Sequence, residues 1–361
     1  MKPRDLISVA NNGLSQMWEP DPGLFCFRLK QTPMGLIREG VSRRYTLITL
    51  LGLQRYEISG GSFPTIGING AVERLVRDCG AIDNVGDLGL LLWLCALACP
   101  EYLEDVCAKV DAKSALSRFR GAQLGITMEL AWFLSGLAHA AQAGLKAPDL
   151  ADTAVKTFGL LKTNQGDQGI FGHLAQKRSL AGVVRGRIGS FADQVYPIYA
   201  LTKFSQAYGH AAALNLAKRC AEAICRAQGP LGQWWWHYDA GSGEVVEKYP
   251  VYNVHQDGMG PMALFALAEA SQGDFSESIY KGLAWIDGRN EMNIDLCDSS
   301  AGIIWRSIYR RRSGMAYIAE LWKVLRSGQA VDSMDDLDIT FECRPYELGW
   351  LMYAFAGRGN D

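Results

Sequence analysis

The apolar positions of this chain follow helical spacing, and the helices that they predict come in pairs. One helix of each pair is apolar on nearly all faces, as in LGLLLWLCALA (88–98), ELAWFLSGLAHAA (129–141), PMALFALAEA (261–270) and ELGWLMYAFA (347–356). Such a helix must be buried on every side. Its partner is amphipathic, as in AALNLAKRCAEAI (212–224), and is expected to lie outside it. The predicted pairs are 41–58 with 68–79, 85–98 with 101–110, 125–143 with 148–163, 191–208 with 211–227, 256–272 with 275–288, and 314–327 with 344–356.

Six hairpins with buried inner helices and amphipathic outer helices predict an all-α fold, an (α/α)6 toroid formed by one domain over 1–361. An irregular α-solenoid is the alternative, but its repeats are shorter and more regular than these. Residues 1–40 are predicted to be an N-terminal lead-in segment. Two insertions, 232–256 and 291–343, are expected at the mouth of the toroid, and the first should hold a short β-hairpin around 233–252.

The predicted inner helices each open with a charged or polar residue and become apolar within one turn. In a toroid the inner helices run parallel, so these N-terminal ends should share one mouth. Capping of free N–H groups and the helix dipole explain part of this acidic bias. They do not explain the aromatic and basic side chains expected beside the acids, which together are typical of a pocket for a polar ligand. The predicted ring comprises Arg44, Asp87, Glu129, Asp193 or Gln194, His255 or Asp257, and Glu347, with Trp132, Tyr196, Arg344 and Tyr346 beside it.

Acid–base catalysis needs two groups whose pKa values differ, placed across one bond. A histidine beside carboxylates is expected to have a raised pKa and to act near neutral pH. The predicted catalytic residues are therefore Asp257, His255, Glu347 and Asp193. The run Trp234–Trp235–Trp236 should alternate faces on a strand, so that some of its rings reach the pocket. The residues predicted to bind substrate are Glu129, Asp87, Arg44, Trp235, His237, Tyr196, Trp132, Arg344 and Tyr346.

Composition limits the other classes of function. A formal net charge of −2 gives no electrostatic reason to bind nucleic acid, and the longest apolar run, 88–99, is too short to span a membrane. Nine cysteines in mostly apolar helical contexts indicate free thiols and a cytoplasmic location. No metal or other cofactor is predicted, and the expected partner is a small-molecule or glycan substrate.

Two segments resemble the QW repeats of squalene and terpenoid cyclases. Residues 228–234 fit Q-x-x-x-G-x-W, and residues 165–171 fit the same pattern with phenylalanine in the last position. In those proteins the glutamine and the aromatic ring tie one hairpin to the next, so the resemblance implies a fold rather than a reaction. The acidic motifs of both cyclase classes are missing: the nearest candidate, 335–338, has the wrong spacing for D-x-D-D, and no D-D-x-x-D cluster is present.

The aromatic hairpin after Trp234, followed by Tyr252-Asn-Val-His255-Gln-Asp257, resembles carbohydrate-active (α/α)6 enzymes: six-hairpin glycosidases, sugar epimerases and the C-terminal domain of glucuronyl C5-epimerases. This resemblance implies a hydrolase, lyase or epimerase that acts on a sugar or glycoconjugate. A terpenoid-cyclase-like enzyme with a prenyl substrate is the first alternative. The second alternative is a non-catalytic toroid that binds a protein or a glycan.

Overall fold

The computed structural model describes residues 3–123, 126–174, 186–311 and 336–358. Its helices are, in chain order, α1 (Pro3–Met17), α2 (Arg43–Ile58), α3 (Ile68–Arg77), α4 (Val85–Ala98), α5 (Leu103–Lys109), α6 (Ala112–Gln123), α7 (Thr127–Gln142), α8 (Pro148–Lys162), α9 (Ala192–Tyr208), α10 (Ala211–Arg226), α11 (Gly260–Ser271), α12 (Ser276–Ile286) and α13 (Pro345–Phe355). The strands are β1 (Trp18–Glu19), β2 (Leu24–Thr32), β3 (Gly35–Val41), β4 (Ile188–Ser190), β5 (His237–Asp239), β6 (Val245–Glu247), β7 (Val251–Tyr252), β8 (Cys297–Asp298), β9 (Ile303–Ile304), β10 (Ser307–Arg310), β11 (Leu337–Thr340) and β12 (Glu342–Cys343).

The inner helices form a closed ring. Helix α2 packs against α4, α4 against α7, α7 against α9, α9 against α11, α11 against α13, and α13 packs back against α2. Helices α3, α6, α8, α10 and α12 lie outside this ring, beside inner helices. The predicted all-α (α/α)6 toroid is therefore confirmed.

The N-terminal helix covers the last inner helix from outside. Residues 1–40, predicted as a lead-in segment, contain α1, β1, β2 and most of β3, and α1 packs against α13. The outer helix predicted at 314–327 lies outside the described residues. In the described ranges, α1 supplies the outer layer beside α13.

The predicted hairpin around 233–252 is confirmed, since β5 pairs antiparallel with β6, and β4 pairs with the other edge of β5. More strands are present than the helical periodicity predicts. Strand β2 lies between β1 and β3 and also pairs with β12, while β10 lies between β7 and β11. Strand β7 shortly precedes the turn that leads into α11, and β12 directly precedes α13.

Two glutamine side chains tie successive hairpins together. The amide of Gln165 donates to the carbonyl of Gly169 and to that of Leu216 in α10. The amide of Gln228 donates in the same way to Gly232 and to Ser278 in α12. Each glutamine therefore joins its own loop to the following outer helix.

None of the helices in the described ranges is long and apolar enough to cross a membrane. All nine cysteines are free thiols, and seven of them are buried.

Candidate functional site

The predicted polar residues do lie at the N-terminal ends of the inner helices. Arg44, Asp87, Glu129, Asp193 and Glu347 all fall within the first three residues of their helices. His255 and Asp257 lie in a π-helical turn, His255–Met259, that runs directly into α11. Because these helix starts belong to one ring, they define one mouth, which is the candidate site.

Arg44 links the first three inner helices at this mouth. Its guanidinium is paired with Asp87, with 2.5 Å between Nε and Oδ1, and lies 5.3 Å from the ring centroid of Trp132. Glu129 is 7% exposed; burial raises the pKa of its carboxyl, and the charge of Arg44 opposes this rise. Its Oε2 atom is buried and has no hydrogen-bond partner among the described residues.

Asp193 is fully buried and only one of its oxygens is engaged. Oδ2 accepts hydrogen bonds from Ser190 N and Oγ, both at 2.9 Å, and from His173 Nδ1 at 3.0 Å. Ser190 ends β4 just before α9 begins, which brings its donors to the first turn of the helix. In the part of the chain that the structure describes, Oδ1 has no partner. The charge of Asp193 raises the pKa of Glu129 and that of His173 lowers it, so the carboxyl groups of α7 and α9 lie near each other.

Glu347, by contrast, has both carboxyl oxygens occupied. Oε1 accepts from the guanidinium of Arg306, and Oε2 accepts from the backbone N–H of Arg344 at 3.0 Å, which completes a capping box at the start of α13. Arg306 and Arg344 also both bind Glu342, at 3.1 and 2.7 Å. Burial raises the pKa of Glu347, and the two arginines oppose the rise.

The π-helical turn places His255 and Asp257 in different surroundings. The His255 ring lies 4.6 Å from Phe191 and 5.1 Å from Tyr252, and burial lowers its pKa to about 3. The expectation of a raised pKa for His255 is therefore wrong, because burial favours the neutral imidazole and the positive charge of Arg306 lowers the pKa further. Asp257 is buried near Glu347 and Cys343, and its burial raises the pKa of the carboxyl well above the usual range.

Of the three consecutive tryptophans, the third lies at the mouth. Trp234 is fully buried, and Trp235 is 6% exposed and packs edge-on against Tyr249. The Trp236 ring is half-buried, 4.7 Å from His237 and 5.0 Å from Tyr252. The sequence did not distinguish Trp235 from Trp236, because strand alternation allows either ring to face the pocket.

The remaining predicted ligand-binding residues lie in three places. His237 is half-buried on β5 and its Nδ1 is 2.7 Å from Glu247 Oε2. Tyr346 stacks against Tyr45 at 4.5 Å, and Arg344 donates to the Tyr45 hydroxyl at 2.9 Å. Trp132 and Tyr196 are buried against each other, with ring centroids 5.0 Å apart, so they form the floor rather than the rim.

Sequence reasoning missed His173 and Tyr252. His173 lies two residues after the Q-x-x-x-G-x-F segment. This spacing is the signal that could have placed its side chain near the first turn of the next inner helix, α9. Tyr252 packs under the guanidinium of Arg306 at 4.7 Å.

Below this floor the axis of the ring is filled by aromatic side chains. Trp93 stacks on His139 at 5.0 Å and on Tyr199 at 4.6 Å, and it contacts Trp350 and Tyr353. Among the described residues, these side chains fill the axis beneath the mouth. Within the described ranges, no group of three or more His, Cys, Asp or Glu side chains is arranged to hold a metal ion.

Comparison with known proteins shows similarity in structure alone. No family model and no curated protein matches the sequence. A sugar epimerase from a ruminal bacterium superimposes with a TM-score of 0.63 at 10% identity, over 96% of this chain and 95% of that one. A possible member of the GH105 family from Salmonella enterica gives 0.61 at 12% identity, over 98% and 93%. The unsaturated glucuronyl hydrolase of Bacillus sp. GL1, responsible for the degradation of glycosaminoglycan, gives 0.56 at 15% identity, over 98% and 94%. At these identities the likeness establishes the shared (α/α)6 fold over nearly the whole chain.

Proposed function

We propose that this protein is a carbohydrate-active enzyme that works by acid–base catalysis at the N-terminal mouth of the toroid. One observation carries the proposal: Glu129 and Asp193, on adjacent inner helices, each present a buried carboxyl oxygen that no described residue engages. Buried acceptors are normally satisfied, and unsatisfied ones concentrate at functional sites. A sugar hydroxyl or a bound water is the partner that fits them.

The two carboxyl groups differ in a way that suits opposite roles. Burial raises the pKa of Glu129, so this group holds its proton longer and fits the general acid. Asp193 is oriented by Ser190 and His173 through one oxygen, which leaves the other in place to accept a proton from water or from a sugar carbon. We therefore keep the catalytic role predicted for Asp193, and we reassign Glu129 from substrate binding to catalysis.

The other predicted catalytic residues fit supporting roles. Glu347 orients Arg306 and caps α13, and neutral His255 packs behind Trp236. Asp257, in the turn that leads into α11, is buried and also has an oxygen, Oδ1, that no described residue engages. A sugar ring would stack on Trp236. The hydrogen-bonding groups around it would be Arg44, Asp87, His237, Arg344 and Tyr346.

The structural neighbours support a sugar as substrate, since they are named as a sugar epimerase and glycosidases. A terpenoid cyclase would need a large apolar cavity for its prenyl chain, but Trp93 and its neighbours fill the axis in the described ranges. In a non-catalytic toroid that only binds a partner, the acidic residues at the helix starts would serve only to cap the N-terminal ends of the helices. Glu347 does so, whereas Glu129 and Asp193 leave oxygens open.

The test is an activity screen with matched variants. Disaccharides that carry a 4,5-unsaturated uronyl residue are followed by loss of the ultraviolet absorbance of the double bond, and saturated disaccharides are followed by exchange of sugar C–H protons in D₂O. We expect Asp193→Asn and Glu129→Gln each to lower kcat by about 100-fold or more, with Asp152→Asn, an exposed α8 residue, unchanged. Full activity in either mouth variant would refute the assignment.

We further propose a cytoplasmic location, which is supported by nine free thiols without a disulfide among them.

A further inference from the structure

His173 connects the two inner helices that carry the proposed acid and base. Its carbonyl oxygen accepts a hydrogen bond at 2.9 Å from the N–H of Thr127, the first residue of α7. Its Nδ1 atom lies 3.0 Å from Oδ2 of Asp193 in the first turn of α9. The backbone of His173 is therefore fixed to the start of α7, while its ring reaches the carboxyl group of the neighbouring helix.

Asp193 and His173 differ in their access to solvent. The side chain of Asp193 is 0% exposed, whereas that of His173 is 31% exposed. In the described part of the chain, Oδ2 of Asp193 is bonded to the N–H and the hydroxyl of Ser190 and to His173. A backbone N–H and a serine hydroxyl do not ionise near neutral pH, but an imidazole does. Of these partners, His173 is the one suited to carry a proton between the buried carboxyl group and water.

A base in this position needs such a partner during turnover. In the proposed function, Oδ1 of Asp193 takes the proton from water or from a sugar carbon. Oδ1 is itself buried, and a sugar bound against it would cover it further. The proton then has to leave from the side of Oδ2 before the carboxylate can act again while sugar occupies the mouth.

We propose that His173 is a proton relay between Asp193 and the solvent. Nδ1 of a neutral imidazole accepts the proton that Asp193 has taken up, and Nε2 releases a proton to water. The products of this step are the Asp193 carboxylate, a neutral imidazole and one hydronium ion. Ser190 holds Oδ2 in place and is a positioning residue. The proposal rests on the catalytic role proposed for Asp193, and it gives His173 a role in turnover beyond orienting that carboxyl group.

The test compares wild type with His173→Asn and His173→Ala at pH 7 in a dilute buffer, on the unsaturated or saturated disaccharide that wild type turns over. Asparagine places an amide N–H close to the position of Nδ1, so it keeps the hydrogen bond to Asp193 but cannot carry a proton. We expect kcat to fall about 100-fold in both variants. The ratio kcat/KM should change little, because the proton leaves after the sugar has reacted.

A residue that only orients Asp193 predicts a different pattern. His173→Asn would then keep the wild-type kcat, and His173→Ala would lose kcat and kcat/KM equally, because the carboxyl group is misplaced in the transition state. Urea unfolding of both variants checks that a lower kcat does not come from misfolding, and His173→Gln is a second variant without an imidazole should His173→Ala prove unstable.

Added imidazole distinguishes a proton carrier from a structural side chain. Free imidazole should raise kcat of His173→Ala toward the wild-type value as its concentration rises, because it can enter the space that the ring has left. It should not change kcat of wild type. His210→Asn is the matched control, since asparagine keeps an acceptor that caps the start of α10. This variant should have the wild-type kcat with and without imidazole.

Failure of the relay is distinguishable from failure of the proposed function. If wild type is active and Asp193→Asn is not, the catalytic role of Asp193 stands. A wild-type kcat in His173→Asn, or a His173→Ala variant that does not respond to imidazole, then overturns the relay alone. A wild-type protein that turns over neither class of disaccharide, or an active Asp193→Asn variant, overturns both proposals.

Discussion

Carboxyl groups at the mouth differ in how their oxygens are occupied. Glu347 uses both oxygens to bind Arg306 and to cap α13. Asp193 uses one oxygen, and Oε2 of Glu129 has no partner in the described part of the chain. A buried acceptor without a partner lowers the stability of the folded protein by about 1–3 kcal/mol. Two of them on adjacent helices are therefore not explained by folding alone. A bound substrate would satisfy both groups.

Asp257 should lower the stability of the protein at neutral pH. Burial raises its pKa in the folded state above the unfolded value of 3.8, so the folded state holds the proton longer and loses stability as the pH rises above that value. Asp257→Asn removes the ionisation and keeps the size. We expect the variant to be more stable than wild type at pH 7 in urea unfolding, and this advantage to vanish at a pH below the unfolded value.

The exposed Asp152→Asn substitution is the control and should not change stability at either pH. The activity of Asp257→Asn is equally informative. A stable variant that has lost activity on a substrate of the wild type would show that Asp257 takes part in catalysis and that the pairing of Glu129 with Asp193 is wrong.

His255 should make the protein sensitive to acid. Its folded pKa of about 3 is below the unfolded value of 6.5, so the unfolded state binds the proton more readily. The stability that this group contributes is fully present above pH 6.5 and is lost as the pH falls toward the folded pKa, by about 1.4 kcal/mol per pH unit. His255→Gln should remove that component. Urea unfolding at one-unit intervals from pH 6.5 to about 4 measures it, and identical slopes in wild type and variant would contradict it.

The sequence predicted which residues meet at the mouth but not their protonation. Helical spacing located His255 and Asp257 beside the start of an inner helix, which is a local property of the chain. Their pKa shifts come from burial and from residues distant in sequence, such as Phe191, which packs against the ring of His255, and Glu347, whose charge raises the pKa of Asp257. A property that depends on desolvation by distant segments cannot be inferred from spacing along one segment.

At the scale of elements, pairs of inner helices cross where two glycines meet. A Cβ atom on Gly136 of α7 would lie 2.1 Å from the carbonyl oxygen of Gly89 in α4, and one on Gly52 of α2 would lie 2.0 Å from that of Gly349 in α13. Such backbone contact leaves no room for a side chain, so glycine is required at these crossings for packing rather than for its dihedral angles.

Gly136→Ala should therefore destabilise the toroid by about 1–3 kcal/mol or more, because α4 and α7 must move apart to accept the methyl group. The matched control is Gly159→Ala in outer helix α8, where a Cβ would meet nothing within 4 Å. That change should stabilise the protein by about 0.5–1 kcal/mol through helix propensity. Chemical denaturation of both variants measures the difference, and a neutral Gly136→Ala would show that the helices are not in backbone contact.

Prediction from sequence succeeded for elements whose burial is uniform. The runs 88–98 and 347–356 are apolar on all faces, and both are inner helices. It gave no elements within 1–40, where α1 is amphipathic and the strands β1 and β2 and most of β3 lie. The role of α1 depends on α13, more than 300 residues away, and no local pattern encodes that contact.

At the scale of the whole molecule, the toroid depends on hydrogen bonds between hairpins as well as on the closure of the ring. The side chains of Gln165 and Gln228 form two such connections, here called joints. Gln165 fastens its loop to α10, and Gln228 fastens the end of α10 to α12. Leu216 and Arg226 of α10 are separated by about 15 Å, at 1.5 Å per helical residue. The two joints therefore act on different parts of one outer helix.

Removing both joints tests whether the ring unfolds as one cooperative unit. Gln165→Met and Gln228→Met keep the approximate side-chain length but take a donor from two backbone carbonyls each, so each should cost about 1–3 kcal/mol. Because the joints are well separated, the double variant should lose the sum of the two effects to within about 0.5 kcal/mol in a single urea transition. The exposed Gln142→Met substitution should stay within about 0.5 kcal/mol of wild type. Two resolved unfolding transitions in the double variant would mean that the hairpins unfold separately once these hydrogen bonds are removed.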